Sequence, residues 1–306
     1  MLLADACTEL QYAKDWTKQT TLWYTKRLAL FLRWCEEQGV TTLEAVNPPL
    51  VRRYIDYLQH RPAKDGGKLD SHTVHGHVRI IRTLLFWAVS EGLIDENIPK
   101  RIKPPRKEEK VLKVLTDQHI KLLLDTAKTT PTPLRDTALL CLLLDNGGRA
   151  SELCGLLLAD VTFTPDTAWI LVRGKGRKQR EIALGKKARL ALSRYIHRER
   201  KANTDSDRVF IGTKGPLAPE GLDRLLYRLR DRAGAEHFIG VSVAAHRWRH
   251  THAVKALEAG MDLFAVSKQM GHAEVGITTN YLKAVTARQL RSMTISPLDV
   301  MGRVAG

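Results

Sequence analysis

The sequence predicts a mainly α-helical protein carrying one small antiparallel β-sheet. Three observations lead to that expectation. Apolar residues recur at spacings of three and four through most of the chain. Only one pair of segments alternates in the manner of strands, on either side of a glycine-rich turn. At 306 residues, with 43% hydrophobic and 27% charged residues, the chain has a globular composition and the length for two domains.

Residues 1–98 read as a small helical unit. From about Thr20 to Glu37, Trp23, Leu30, Phe31 and Trp34 fall on one stripe, and Gly39 follows as a stop. Asn47 then serves as a helix cap with Pro48 at the first helical position, where its missing N–H costs nothing. Leu50, Val51, Tyr54, Ile55 and Leu58 form the buried face of that helix. Ser71 caps the next helix, in which Val74, Val78, Ile81, Leu85 and Ala88 keep a regular spacing up to Gly92. His72, His75, His77, Arg79 and Arg82 are left on its other faces.

Residues 99–115 read as a basic, proline-containing linker. Three prolines favour an extended path, and seven Lys or Arg between Lys100 and Lys113 straighten it by mutual repulsion. Lys100, Arg101, Lys103 and Arg106 are candidate phosphate contacts along it. A solvated tether without such contacts is the plainer alternative.

The larger unit, 116–306, begins with helical patterns over 117–127 and 134–144. Ala168–Val172 and Arg180–Leu184 follow as two strands joined by the turn Arg173-Gly174-Lys175-Gly176-Arg177-Lys178. Further helices are predicted near 186–200, 219–233, 247–259 and 262–270. The tail from Val285 carries Leu290, Met293, Ile295, Leu298, Val300 and Met301, enough apolar material for one more helix.

The charge narrows the class of function. A formal net charge of +16 and a pI near 9.8 strain a compact chain by self-repulsion, and such an excess meets a polyanion, nucleic acid first. Aromatics at 6% are too few for a single-strand stacking platform and favour duplex held through its backbone. The longest apolar run, Ala138–Leu144, is about a third of a bilayer crossing. No secretory signal pattern opens the chain, and the four cysteines, Cys7, Cys35, Cys141 and Cys154, lack metal-ligand spacing. A reducing, cytoplasmic setting fits.

Four stretches carry candidate chemistry. In Gly147-Gly148-Arg149-Ala150-Ser151-Glu152-Leu153 an arginine follows two glycines at a helix start, which can hold a guanidinium rigidly. On its own such a basic helix N-terminus is common. The second, Gly174-Lys175-Gly176, lets a backbone approach a phosphate chain, although a solvated lysine turn looks the same. In His246-Arg247-Trp248-Arg249-His250, His246 and Arg249 share a helix face. His246 and His250 also have zinc-like spacing, but no glutamate or third ligand lies close by. The fourth stretch is Gly271-His272, followed nine residues later by Tyr281.

As an ordered set these stretches resemble the tyrosine recombinases, the family of phage integrases and Xer-type resolvases. The family pattern is Gly-x-Arg-x-Ser-Glu-Leu, a lysine on a β-hairpin, His-x-x-Arg-His, Gly-His, and a tyrosine nine residues after that histidine. All six positions are filled in order, by Arg149, Lys175, His246, Arg249, His272 and Tyr281. The resemblance spans nearly the whole chain, with a helical core-binding domain from about Thr17 to Gly92 and a catalytic domain over 116–290. Gly148 and Trp248 depart from the leucines usual in the family, and both concern packing around the arginines. Only some sixteen residues precede the first predicted helix, too few for the arm-binding domain of some phage integrases.

The resemblance implies a chemistry. Arg149 and Arg249 would clamp the non-bridging oxygens of a phosphodiester where other enzymes use a metal ion, so no cofactor or divalent cation is called for. Lys175 would protonate the leaving 5′ oxygen, His246 would move the proton of Tyr281, and His272 would hydrogen-bond the phosphate. The product would be a 3′-phosphotyrosyl bond that conserves the energy needed for resealing. Double-stranded DNA is the implied partner, bound by a tetramer of this chain, or of this chain with a related recombinase, that exchanges C-terminal tails; a tail packed on its own domain or frayed is the plainer alternative. His72, His75, Arg79, Arg82, Arg173, Arg177, Lys178 and Arg247 join the linker residues as candidate DNA contacts. Two alternatives stay open: a binding protein of the same fold without catalysis, and a type IB topoisomerase.

Overall fold

In the computed structural model the described residues are 1–63, 66–106, 113–174, 179–200, 206–271 and 279. They belong to two compact units, Met1–Lys110 and Val111–Gly306.

Among its described residues the first unit is built of helices, with only isolated bridges at Leu2–Thr42 and Pro62–Lys68 besides. Helices α1 (Leu3–Ala13), α2 (Lys18–Glu37) and α3 (Pro48–His60) all pack on α4 (Ser71–Ser90), and a short turn of helix, α5 (Asn97–Lys100), follows. Because α4 is central it is buried on more than one face, through Val74, Val78, Ile80, Ile81, Leu84, Leu85, Trp87 and Ala88. Each large apolar side chain so removed from water contributes about 2 kcal/mol. The central position also corrects an expectation. His77 is not on an outer face but 7% exposed, with Nδ1 3.1 Å from the Tyr54 hydroxyl.

The sequence signals at the helix ends were mostly local and correct. Asn47 Oδ1 accepts the Leu50 N–H at 2.9 Å, with Pro48 as the first helical residue. For α4 the cap is Asp70, whose carboxylate accepts the His72 N–H at 2.8 Å, and Ser71 is already helical. Helix α1 was unanticipated, and it fills most of the stretch thought to precede the first helix. Ile102, within the predicted linker, is buried in the first unit's core, and Leu115 in the second's.

The second unit is built on α7 (Pro133–Asn146), which packs against α9 (Lys186–Arg194) and α11 (Ala245–Glu258). Helix α6 (Asp117–Ala127) lies against α10 (Pro219–Ala233), and α8 (Ala150–Cys154) against α10 and the sheet. The sheet has three antiparallel strands rather than two, β1 (Val161–Phe163), β2 (Ala168–Arg173) and β3 (Gln179–Ala183), in that order. In β2 the inward residues are Ala168, Ile170 and Val172, with Ile170 opposite Ile182 and Val172 opposite Arg180. A two-stranded ribbon, β4 (Ile211–Gly212) with β5 (Gly215–Pro216), completes the strands among the described residues. The helix predicted over 186–200 ends as α9 at Arg194 and continues through a π turn to Glu199.

Helix α12 (Leu263–Met270) packs on α11 through Val266 and Met270 against Ala253, Val254 and Leu257. It stops at Gly271, which takes a left-handed conformation (φ +68°). Among the described residues no helix is long and apolar enough to cross a membrane.

Candidate active site

The site forms where three chain segments end against one another. Helix α7 closes at Gly147, whose φ of +58° no β-carbon favours, and a β-carbon there would stand 2.5 Å from His252 Cδ2. The Gly148 N–H then donates to Asn146 Oδ1 at 2.7 Å, and a β-carbon at 148 would lie 2.8 Å from that oxygen. The departure from the family's leucine therefore matches a tight turn. Arg149 follows as the N-cap of α8, its N–H received by the carboxylate of Glu152 at 3.0 Å.

Helix α11 supplies the second segment. Trp248 is fully buried and its indole N–H donates to the Val243 carbonyl at 3.1 Å. Its burial anchors the start of α11, where His246 and Arg249 stand three residues apart. Arg249 is 3% exposed and donates to the Gly147 carbonyl at 2.7 Å and the Met270 carbonyl at 2.8 Å.

The third segment is the carbonyl end of α12, which carries the negative pole of that helix. Three consecutive carbonyls there receive three guanidinium groups. Gln269 accepts from Arg180 Nε at 2.8 Å, Met270 from Arg249, and Gly271 from Arg149 at 3.3 Å. Arg149 Nη1 also donates to Glu152 at 2.8 Å, yet its side chain keeps 40% of its exposure, so part of the guanidinium faces outward.

His246 retains an exposed edge, but its pKa is lowered. Burial of the rest of the ring is the first cause, and the charges of Arg249, Arg247 and Arg149 add to it, with Asp223 opposing. The imidazole is therefore neutral near pH 7 and can accept a proton. Its ring meets that of His250 edge to face at 4.2 Å. Among the described residues no three His, Cys, Asp or Glu side chains gather as a cation would require.

Of the six predicted catalytic residues, Arg149, Arg249 and His246 belong to this cluster. Lys175, His272 and Tyr281 lie outside the described residues, as do Arg177, Lys178 and the tail from Val285. Among the candidate DNA contacts, His72, Arg79, Lys100, Arg101, Lys103 and Arg106 are exposed, and His75 and Arg82 are half-buried. The Arg82 guanidinium lies 5.4 Å from the Phe86 ring. Arg173 pairs with the buried Asp160, and Lys100 with Glu96 at 3.0 Å. Arg247 is half-buried, with Nε and Nη1 closed to solvent.

Sequence reasoning assigned no role to Arg180 or to the side chain of Glu152. One signal was available: Arg180 precedes Ile182 by two on an alternating strand, so it shares the inward face. An inward arginine needs an acidic partner.

The phage integrase family matches residues 113–288, and the phage integrase SAM-like domain matches residues 3–103. Tyrosine recombinase XerC of Bacillus licheniformis is 31% identical over 280 residues, covering 89% of this chain and 88% of the relative. Tyrosine recombinase XerD of Corynebacterium glutamicum is 29% identical, covering 94% of each. Among solved structures, the Tn1549 transposon integrase in complex with transposon right end DNA superposes with a TM-score of 0.75 at 19% identity, over 100% of both chains. A lambda integrase dimer bound to a core site gives 0.70 at 16% identity, over 92% of this chain and 77% of that one, a likeness of fold. With more than half of its length matched by the family and relatives aligned along most of theirs, the chain belongs to the phage integrase family of tyrosine recombinases.

Proposed function

We propose that the chain is a site-specific recombinase that cuts and rejoins duplex DNA through a covalent bond between Tyr281 and a 3′ phosphate. The observation that carries this reading is the convergence of Arg149 and Arg249 on the carbonyl end of α12, immediately before His272 in sequence. Two guanidinium groups so held are preorganised for the equatorial oxygens of a phosphoryl group in transfer. Their supports are fixed by the fold, so little reorganisation is needed when charge develops.

In the proposed reaction the Tyr281 oxygen attacks phosphorus in line, and the bond to the 5′ oxygen breaks. A phenol with a pKa near 10 is mostly protonated at neutral pH, and neutral His246 is suited to take its proton. Lys175 gives a proton to the departing 5′ oxygen, and His272 hydrogen-bonds the phosphate. Resealing runs the same steps in reverse with a 5′ hydroxyl as nucleophile, so no ATP is consumed. No cofactor is needed.

The exposed cations of the first unit, Lys103 and Arg106 among them, contact DNA phosphates and add salt-dependent affinity. Four protomers assemble on two synapsed sites, with the tail beyond Arg291 exchanged between neighbours. The reaction serves integration or excision of a mobile element, or Xer-type resolution, in the cytoplasm. The test is a nicked suicide duplex bearing the recombination site, which lets the cleaved end diffuse away. A DNA-linked peptide mapping to Tyr281 is the expected result; no covalent adduct, or one on another residue, overturns the reading. Relaxation of plasmids irrespective of sequence would instead indicate a topoisomerase.

A further inference from the structure

We infer that Arg180, which lies outside the six catalytic positions, is a positioning residue that holds Arg149 in its working orientation by clamping Glu152 and the end of α12. This deepens the recombinase reading and rests on it.

Glu152 is 4% exposed, and a carboxylate buried to that degree needs all its oxygen lone pairs occupied. Here they are. Oε1 accepts from Arg149 Nη1 at 2.8 Å and Arg180 Nη1 at 3.1 Å, and Oε2 from the Arg149 N–H at 3.0 Å and Arg180 Nη2 at 2.9 Å. Arg180 thus grips Glu152 with a two-point fork, while the Arg149 side chain touches it at one point. The third donor of Arg180, Nε, reaches the Gln269 carbonyl at 2.8 Å. Its guanidinium occupies the space left by Gly271, where a β-carbon would come within 2.8 Å of Nη1.

The contacts close a ring: Arg149 to Glu152, Glu152 to Arg180, Arg180 to the end of α12, and α12 back to Arg149 through Gly271. Within it Arg149 alone is substantially exposed, at 40% against 17% for Arg180. One arginine faces outward and the other is spent on structure. Burial by itself would raise the Glu152 pKa. The hydrogen bond from Arg180 is the first effect opposing it, and the net shift is downward. Without Arg180, Glu152 would be free to turn its second oxygen onto the Arg149 side chain and draw that guanidinium inward.

The experiment compares Arg180→Gln and Arg180→Lys with the unaltered full chain. Single-turnover cleavage of the nicked suicide duplex is measured, with DNA affinity and melting temperature as controls. Both variants are expected to bind normally and to cleave about 10²-fold more slowly, the scale of a misplaced catalytic group. Lysine keeps the charge but not the fork, so it should not restore the rate. Should the Gln variant fail to fold, the Lys variant carries the test.

The readout specific to positioning is a double-mutant cycle. In an Arg149→Ala background the Arg180 substitution should cost no more than about twofold, because its effect passes through Arg149. A substrate with a methylphosphonate at the scissile position, lacking one anionic oxygen, should likewise narrow the gap between Arg180→Lys and the unaltered chain. Undiminished cleavage by Arg180→Lys, or losses that multiply in the double mutant, would overturn the inference while leaving the recombinase reading intact. If the unaltered chain itself yields no adduct, that reading fails and the inference goes with it.

Discussion

The Arg249 guanidinium donates to the Gly147 carbonyl at 2.7 Å, joining residues 102 positions apart in the chain. The bond exists because Gly147 turns out of α7 in a left-handed conformation, which aims its carbonyl at α11. The same turn releases Arg149 from α7 and delivers it to the start of α8. One glycine therefore sets the orientation of two arginines.

Gly147→Ala tests that dependence. The left-handed backbone alone costs about 1–2 kcal/mol for an L-residue. The added carbon also meets His252 at 2.5 Å. A fall in the urea midpoint is expected, together with slower cleavage by the protein that remains folded. An unchanged midpoint and rate would mean that the turn is not under this constraint.

Arg149→Ala should leave the turn in place and remove the outward guanidinium. Single-turnover cleavage is expected to drop about 10²–10³-fold, the loss associated with one preorganised donor. DNA affinity measured by gel shift should change little. Equal cleavage by the variant and the parent would remove Arg149 from the reaction.

Tyr281→Phe keeps the ring and deletes the oxygen. The variant should bind its site as the parent does and form no covalent complex. An adduct that persists on denaturing gels would send the search for the nucleophile elsewhere.

The lowered pKa of His246 gives a pH dependence of known sign. Its neutral form is the one that accepts a proton, and it is present above the shifted value. If His246 serves as base, the acid limb of cleavage lies below the ordinary histidine value of 6.5. Weakening the positive field, as in Arg247→Gln, should move that limb toward higher pH. A limb that stays fixed in this variant would argue against His246 as the group being titrated.

A second histidine affects stability instead. Burial first, then the charges of Arg27 and Arg61, hold the His77 pKa at about 4. The unfolded chain takes up this proton near 6.5 while the folded chain resists until about 4, so folding weakens as pH falls through that window. The full effect is roughly 3 kcal/mol, and it is absent above the window. Denaturant titrations at pH 7 and pH 4.5 measure it, and His77→Phe should flatten the difference. Persistence of the slope in that variant would place its origin in other groups.

Much of this protein was legible before any tertiary structure, because the relevant signals are short in range. Apolar spacing marked α3, α4, α6 and α10, and Asn47 with Pro48 marked a helix start within a residue. The stretches carrying Arg149 and His246–Arg249 stood out only as members of an ordered set, since each alone is a common local pattern. The sequence could also specify the sign of the partner's charge, since net charge needs no fold. It did not reveal α1, β1 or the β4–β5 ribbon, which are short or weakly patterned.

Nor did it reveal which polar groups meet. That His77 turns inward to Tyr54, that Glu152 accepts from both Arg149 and Arg180, and that three arginines end on the successive carbonyls of Gln269, Met270 and the capping Gly271 were decided by packing alone. Periodicity shows which face of an element is buried but not what lies across from it. A hydrogen bond between residues a hundred positions apart depends on a few tenths of an ångström of backbone placement, and only the folded chain supplies that.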